Sequence, residues 1–137
     1  MKYLIAPLVA WTIAQAAKVI LTSWRQKRLN LRVLAETGGM PSSHSAIVMA
    51  LTAAVGKYSH VTSPEFAIAL IFSIVVMYDA AGLRRAAGRQ AAVLNRLVDD
   101  LMHMRGVEEQ KLRELLGHTP VEVLVGAVLG IVVGLIL

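Results

Sequence analysis

The sequence contains no cysteine, so it can build neither a disulfide framework nor a thiolate metal site. Aromatic residues are few, at 5%. Acidic residues are also scarce, 9 against 14 Lys and Arg, which leaves a formal charge of +5. The basic residues lie between apolar stretches, where membrane flanks or an anion-binding face would have them. They cannot be separated from those stretches, which excludes a nucleic-acid-binding module as partner chemistry. No internal repeat and no low-complexity linker interrupts the chain, so residues 1–137 read as a single domain. What is abundant is apolar: 56% of the 137 residues are hydrophobic and the mean hydropathy is +0.61. Those values lie above an ordinary soluble domain and indicate an integral membrane protein. The apolar run after Lys2 resembles a signal peptide, but no A-x-A-like cleavage site leads into a soluble domain. It is therefore expected to be a retained helix.

Four apolar stretches stand out, at residues 3–20, 45–55, 64–82 and 121–137. A bilayer core asks for about 20 apolar residues. The first, third and fourth stretches approach that length, and the second is short unless its polar ends are buried in protein. The connection before the second stretch carries Arg25, Lys27, Arg28 and Arg32, and the next one is only residues 56–63. The long polar stretch 83–117 follows, and its residues 87–101 have apolar positions at helical spacing (Ala91, Leu94, Leu97, Val98, Leu101). A second short helix is expected at 108–116. The expected fold is all-α: a membrane bundle of about four transmembrane helices, with an amphipathic cytoplasmic helix between spans three and four. Counting basic residues puts the two long connections in the cytoplasm.

Polar chemistry gathers where spans begin and end. Gly38-Gly39-Met40-Pro41-Ser42-Ser43-His44-Ser45 sets chain-breaking residues and hydroxyl caps before an apolar helix, with an imidazole in its first turn. Such a helix start presents unpaired N–H groups and suits an anion, above all a phosphate. Thr119-Pro120-Val121-Glu122 is a capping box with proline at the first helical position, directly after His118. With four spans, Lys18, Arg25, His44, Asp79, Arg84, Arg85, His118 and Glu122 all fall on one face. Each also has a plainer reading. Ser42 and Ser43 can be caps alone, Glu122 can serve only its backbone donors, and Arg84 and Arg85 can be positive-inside flanks. Asp79 at a membrane boundary calls for a partner, and Arg84 is the natural one. Asp99 and Asp100 read as a solvated helix face. Gly126, Gly130 and Gly134, at four-residue spacing, form a ridge for close helix packing.

These residues resemble the type-2 phosphatidic acid phosphatase superfamily, which includes vanadium haloperoxidases, and more closely its small divergent branch of four-span membrane proteins. Lys18 and Arg25 have the separation of the first superfamily motif, with Gln26 in place of its proline. Pro41-Ser42-Ser43-His44 is similar to the second motif, Ser43 standing where glycine is usual. His118 and Glu122 are similar to the end of the third, with glutamate for aspartate. The Ser-Arg part of that motif is missing: Leu112 occupies the position, and Arg113 is one residue away. The stretch from Tyr78 to Gln90 resembles the divergent branch specifically.

The resemblance implies a membrane phosphatase for a lipid phosphate monoester or diphosphate, of phosphatidate or polyprenyl phosphate type, that needs no metal or cofactor. It implies His118 as the nucleophile forming a phosphohistidine, Glu122 orienting it, and His44 protonating the leaving alkoxide. Lys18, Arg25, Ser42, Ser43, Arg84 and Arg85 would bind the phosphate, supported by Asp79. Two other readings stand beside it. One is a non-catalytic lipid-phosphate-binding membrane protein, and the other a metal-dependent phosphotransferase using Asp79, Asp99 and Asp100. The expected setting is a bacterial-type plasma membrane, with the site on the cytoplasmic face. A homodimer would complete a bundle of only four spans.

Overall fold

The computed structural model describes residues 1–27, 39–102 and 118–137, with the backbone alone at 83–87, 89 and 100–102. The second short helix expected at 108–116 lies outside the described residues. Four helices make up the described part: α1 (Lys2–Gln26), α2 (Ser43–Ser59), α3 (Pro64–Met102) and α4 (Pro120–Ile136). No strand occurs among the described residues. α1 outruns its apolar stretch by a turn and a half and stops at Lys27, whose left-handed backbone (φ 50°) turns its N–H back to Trp24 O. α2 is longer than the short stretch expected, because Ser43 and His44 at one end and Lys57 to Ser59 at the other all stay helical. α4 starts as its sequence specifies, with Thr119 as N-cap, Pro120 in the first turn and both capping-box bonds formed.

α3 differs from expectation. The amphipathic stretch 87–101 is helical, but it is continuous with the third apolar stretch instead of separate from it. The 39-residue helix is about 58 Å long at 1.5 Å per residue, nearly twice the roughly 30 Å of a bilayer core. The physical reason is local. Past Gly82 the chain reads Leu-Arg-Arg-Ala-Ala, all strong helix formers, with no proline or cap to stop it. Of the four spans expected, α1 and the Pro64–Gly82 part of α3 have the length and hydropathy to cross a membrane. α2 and α4, at 17 residues each, are about 26 Å long.

The bundle is organised around α2, which packs on α4, α1 and α3. α1 also meets α4, α3 barely touches α4, and α1 and α3 do not pack on each other. Its interior is made of small residues. Ala6, Ala10 and Ala14 of α1 and Ala46, Ala50 and Ala54 of α2 are all buried. The α4 glycines lie directly on the α2 backbone. A Cβ at Gly126 would sit 2.3 Å from Ser42 O, one at Gly130 2.3 Å from Ala46 O, and one at Gly134 2.6 Å from Ala50 O. Large apolar side chains point outward instead, among them Leu4, Ile20, Ile68, Phe72, Leu124 and Val128. Small residues inside and large ones outside is the arrangement of helices that pack in lipid, where close backbone approach replaces the hydrophobic effect as the glue. α3 is fastened to α2 by a buried hydroxyl pair: Thr52 Oγ1 and Ser73 Oγ lie 2.7 Å apart, and both reach Val48 O at 3.0 Å.

One end of the bundle collects the start of α1 and the ends of α2 and α4. There Tyr3 bonds Ser59 at 3.0 Å and Lys57 Nζ donates to Leu135 O at 2.9 Å. The opposite end collects the later part of α1 and the starts of α2 and α4, and α3 reaches it at Ala80, whose carbonyl accepts the His118 N–H.

Candidate active site

Three four-residue ridges end in polar residues at that second end. On α1 the series Ala6, Ala10, Ala14 closes with Lys18, itself 1% exposed. On α2 the series Ala54, Ala50, Ala46 closes with Ser42, fully buried. On α4 the series Gly134, Gly130, Gly126 continues to Glu122 and then, before the helix begins, to His118. Close packing along the ridges thus fixes where these groups meet. The α2 and α4 starts are joined directly, Ser42 N donating to Glu122 O at 3.0 Å.

Ser42 caps α2 through its side chain. Its Oγ accepts from Ser45 N at 3.4 Å and from Ser45 Oγ at 3.1 Å. The chain enters this cap through a cis Met40–Pro41 peptide and Gly39, whose φ of 95° is a conformation that side-chain-bearing residues rarely adopt. The methylenes of Lys18 lie against that glycine, with Lys18 Cγ 3.3 Å from where a Cβ would be. Lys18 is therefore threaded under the Gly39 backbone toward the helix starts.

His118 is the centre of the arrangement. It is 2% exposed, its N–H is held by Ala80 O at 3.4 Å, and its ring lies 6.2 Å from that of His44, tilted by 67°. Glu122 Oε2 is 3.4 Å from His118 Nδ1 but is aligned to accept from Thr119 N, at 2.9 Å. Neither ring nitrogen of His118 has a hydrogen-bond partner among the described residues. His118 precedes the first turn of α4, and burial lowers its pKa below the ordinary 6.5. The Glu122 carboxylate opposes that shift, while the nearby charges of Lys18 and His44 reinforce it. Burial thus favours the neutral imidazole, with one nitrogen toward a carboxylate and the other without a hydrogen-bond partner among the described residues.

The residues singled out in the sequence separate into two groups. His118, Glu122, Lys18, Ser42, Ser43 and His44 come together, His44 exposed at the rim, Glu122 half-buried and the others buried. Arg25 lies two helical turns beyond Lys18 on α1 and is exposed, about 10 Å further along the axis. Asp79 is exposed next to Ala80. Arg84 and Arg85 follow on α3 about one turn later; their side chains are outside the described residues, as is Arg113. Asp99 is twenty residues from Asp79 on one unbroken helix, about 30 Å away, so the two carboxylates of one chain cannot share a metal ion. The Asp100 side chain is not among those described. No group of three His, Cys, Asp or Glu that could hold a metal occurs among the described residues. Two contributors escaped the sequence reading. The Ala80 carbonyl carries no side-chain signal, whereas the ridge Ala6-Ala10-Ala14-Lys18 was open to the same spacing argument as the glycines.

A family model described as "Divergent PAP2 family" matches residues 1–133. The "Uncharacterized membrane protein YuiD" of Bacillus subtilis (strain 168) is 39% identical over 145 residues, covering 98% of this chain and 92% of that protein. No solved structure matches.

Proposed function

The chain belongs to the divergent PAP2 family, and from that premise we propose that it is a membrane phosphatase for lipid phosphates working through a phosphohistidine. The observation that carries the proposal is the buried His118 imidazole beside the buried Lys18, one nitrogen facing Glu122 and the other without a hydrogen-bond partner among the described residues. Gathering ionisable groups this deep is costly unless they are used. In the first step His118 Nε2 attacks phosphorus, the bond from phosphorus to the lipid oxygen breaks, and His44 gives that oxygen its proton. Water then attacks the phosphohistidine, His44 takes the water proton, and inorganic phosphate leaves as His118 is regenerated. Two displacements replace one difficult expulsion of an alkoxide. Lys18 and the arginines of the α3 start-of-extension, Arg84 and Arg85, offset the charge building on the equatorial oxygens. Ser43 and the first turn of α2 line the same mouth, while Arg25 sits at the outer approach. Substrates of phosphatidate or polyprenyl phosphate and diphosphate type fit a site at helix starts, the headgroup at the surface and the tail in the bilayer. We place all four helices across the membrane, with the site on the cytoplasmic face.

The test is phosphate release by the purified protein from phosphatidate and a polyprenyl diphosphate, with and without a chelator. Release that survives the chelator and falls to background in His118→Ala is expected. Undiminished release in that variant would remove His118 as nucleophile. One observation favours a second reading, a lipid-phosphate-binding protein without turnover: Leu112 stands where the wider superfamily has arginine. In that case wild type binds lipid phosphate and releases nothing.

A further inference from the structure

α3 is more open than α1: 17% of its most apolar stretch is buried, against 28%. It packs on α2 and barely on α4. Its open side is one continuous stripe. From Ile68 to Leu97 is 29 residues, about eight turns at 3.6 residues each. Ile68, Phe72, Val75, Gly82, Val93 and Leu97 therefore share a face. Ile68, Phe72 and Val75 are exposed within the membrane-length part, and Val93 and Leu97 are 59% and 53% exposed beyond it. A shallow apolar hollow lies on the membrane part, lined by α3 residues alone, Ala67 to Val75. Between the two parts stands Gly82, with Ala86 one turn on. The α4 glycines touch the α2 backbone, but a Cβ at Gly82 would meet only Tyr78 of its own helix, at 3.9 Å, among the described residues. Glycine weakens a helix interior, and nothing described in the chain uses the close approach it permits.

We propose that this stripe is a homodimer surface: α3 pairs with α3 of a second copy about a twofold axis along the membrane normal, crossing at Gly82 and Ala86. Two small residues four apart are what a close helix crossing at a membrane requires. The length of the stripe selects the occupant. Val93 lies eleven residues past Gly82 on an unbroken helix, about 16 Å, clear of a headgroup layer about 5–8 Å thick. Lipid can cover the membrane part but not Val93, Leu94 and Leu97. A soluble protein can cover those three but not the membrane part. A second copy covers both, because the twofold sets each position beside its counterpart at the same depth. Asp79, exposed at the boundary on the same face, opposes the pairing by like-charge repulsion, which water there screens. The inference rests on the membrane crossing of α3 and not on phosphate chemistry.

The chain has no cysteine, so single-cysteine variants of the full chain in isolated membranes report the pairing. Under oxidation, Val93→Cys and Leu97→Cys are expected to form disulfide-linked dimers severalfold above Arg96→Cys. Arg96 is exposed, but about 100° around the helix from Leu97. Equal yields at all three positions, or no dimer at 93 and 97, overturn the proposal. So does cross-linking of Leu97→Cys to a different protein. A second measurement counts dimers of Gly82→Leu in liposomes by single-molecule photobleaching. The association constant is expected to fall about tenfold, at unchanged melting, because the new side chain meets only Tyr78 within the monomer. An unchanged constant overturns the crossing at Gly82 and the pairing with it. If that variant fails to fold, the cysteine yields alone decide.

Discussion

At the scale of single residues, one carboxylate has two tasks. Glu122 Oε2 accepts the Thr119 N–H that closes the α4 capping box, and it is also the group facing His118 Nδ1. Glutamine serves a capping box as well as glutamate does, so Glu122→Gln separates the tasks. The variant is expected to keep wild-type resistance to unfolding while phosphate release falls by at least tenfold; equal loss of both would reduce Glu122 to a cap. His118 also makes a pH statement. Its native pKa lies below the ordinary 6.5, so between the two values the unfolded chain binds the extra proton. Stability is then fully present above about pH 6.5 and is lost as the pH falls through the window beneath it. Melting followed from pH 8 to pH 5 should show this loss in the wild type and lack that component in His118→Gln.

At the scale of elements, the α2–α4 seam governs the site. The Gly130 position faces Ala46 O at 2.3 Å from a would-be Cβ, and the obstacle is backbone, which cannot turn aside. Gly130→Ala is expected to cost about 1–3 kcal/mol, measured by denaturant titration in micelles. Activity should fall with it, since the same seam holds Ser42 against Glu122. A wild-type titration would mean the helices are further apart than described. The seam and the α4 cap were legible in the sequence because both are written in local spacing: glycine every fourth residue, and Thr-Pro-x-Glu. The continuity of α3 was not. A shift from apolar to polar residues at Gly82 looks like an element boundary, yet arginine and alanine continue a helix as readily as leucine does. Lys18 and Arg25 show the same limit within a site. Seven residues place them on one helical face, but spacing does not tell that one is buried and the other exposed.

At the scale of the whole molecule, the helices sort polar chemistry to one end and tie off the other with Lys57, Tyr58 and the end of α4. A chain without native cysteine makes the topology measurable. Thr62→Cys lies in the short connection at the tied end, and Gln90→Cys on the α3 extension at the site end; both positions are exposed. In intact cells a membrane-impermeant thiol reagent should label Thr62→Cys at once and Gln90→Cys only after permeabilisation. Labelling of both from outside would overturn the membrane-crossing arrangement. The small-residue ridges carry one more implication. A pattern that repeats every turn is self-similar, so sliding α2 along α4 by one turn would set alanine where alanine or serine had been. Packing alone does little to resist such a slip. Their register is set instead by features that occur once: the Ser42–Glu122 bond at one end and the Lys57 clasp at the other. The groups that meet at the His118 end therefore also tell the helices where to stop.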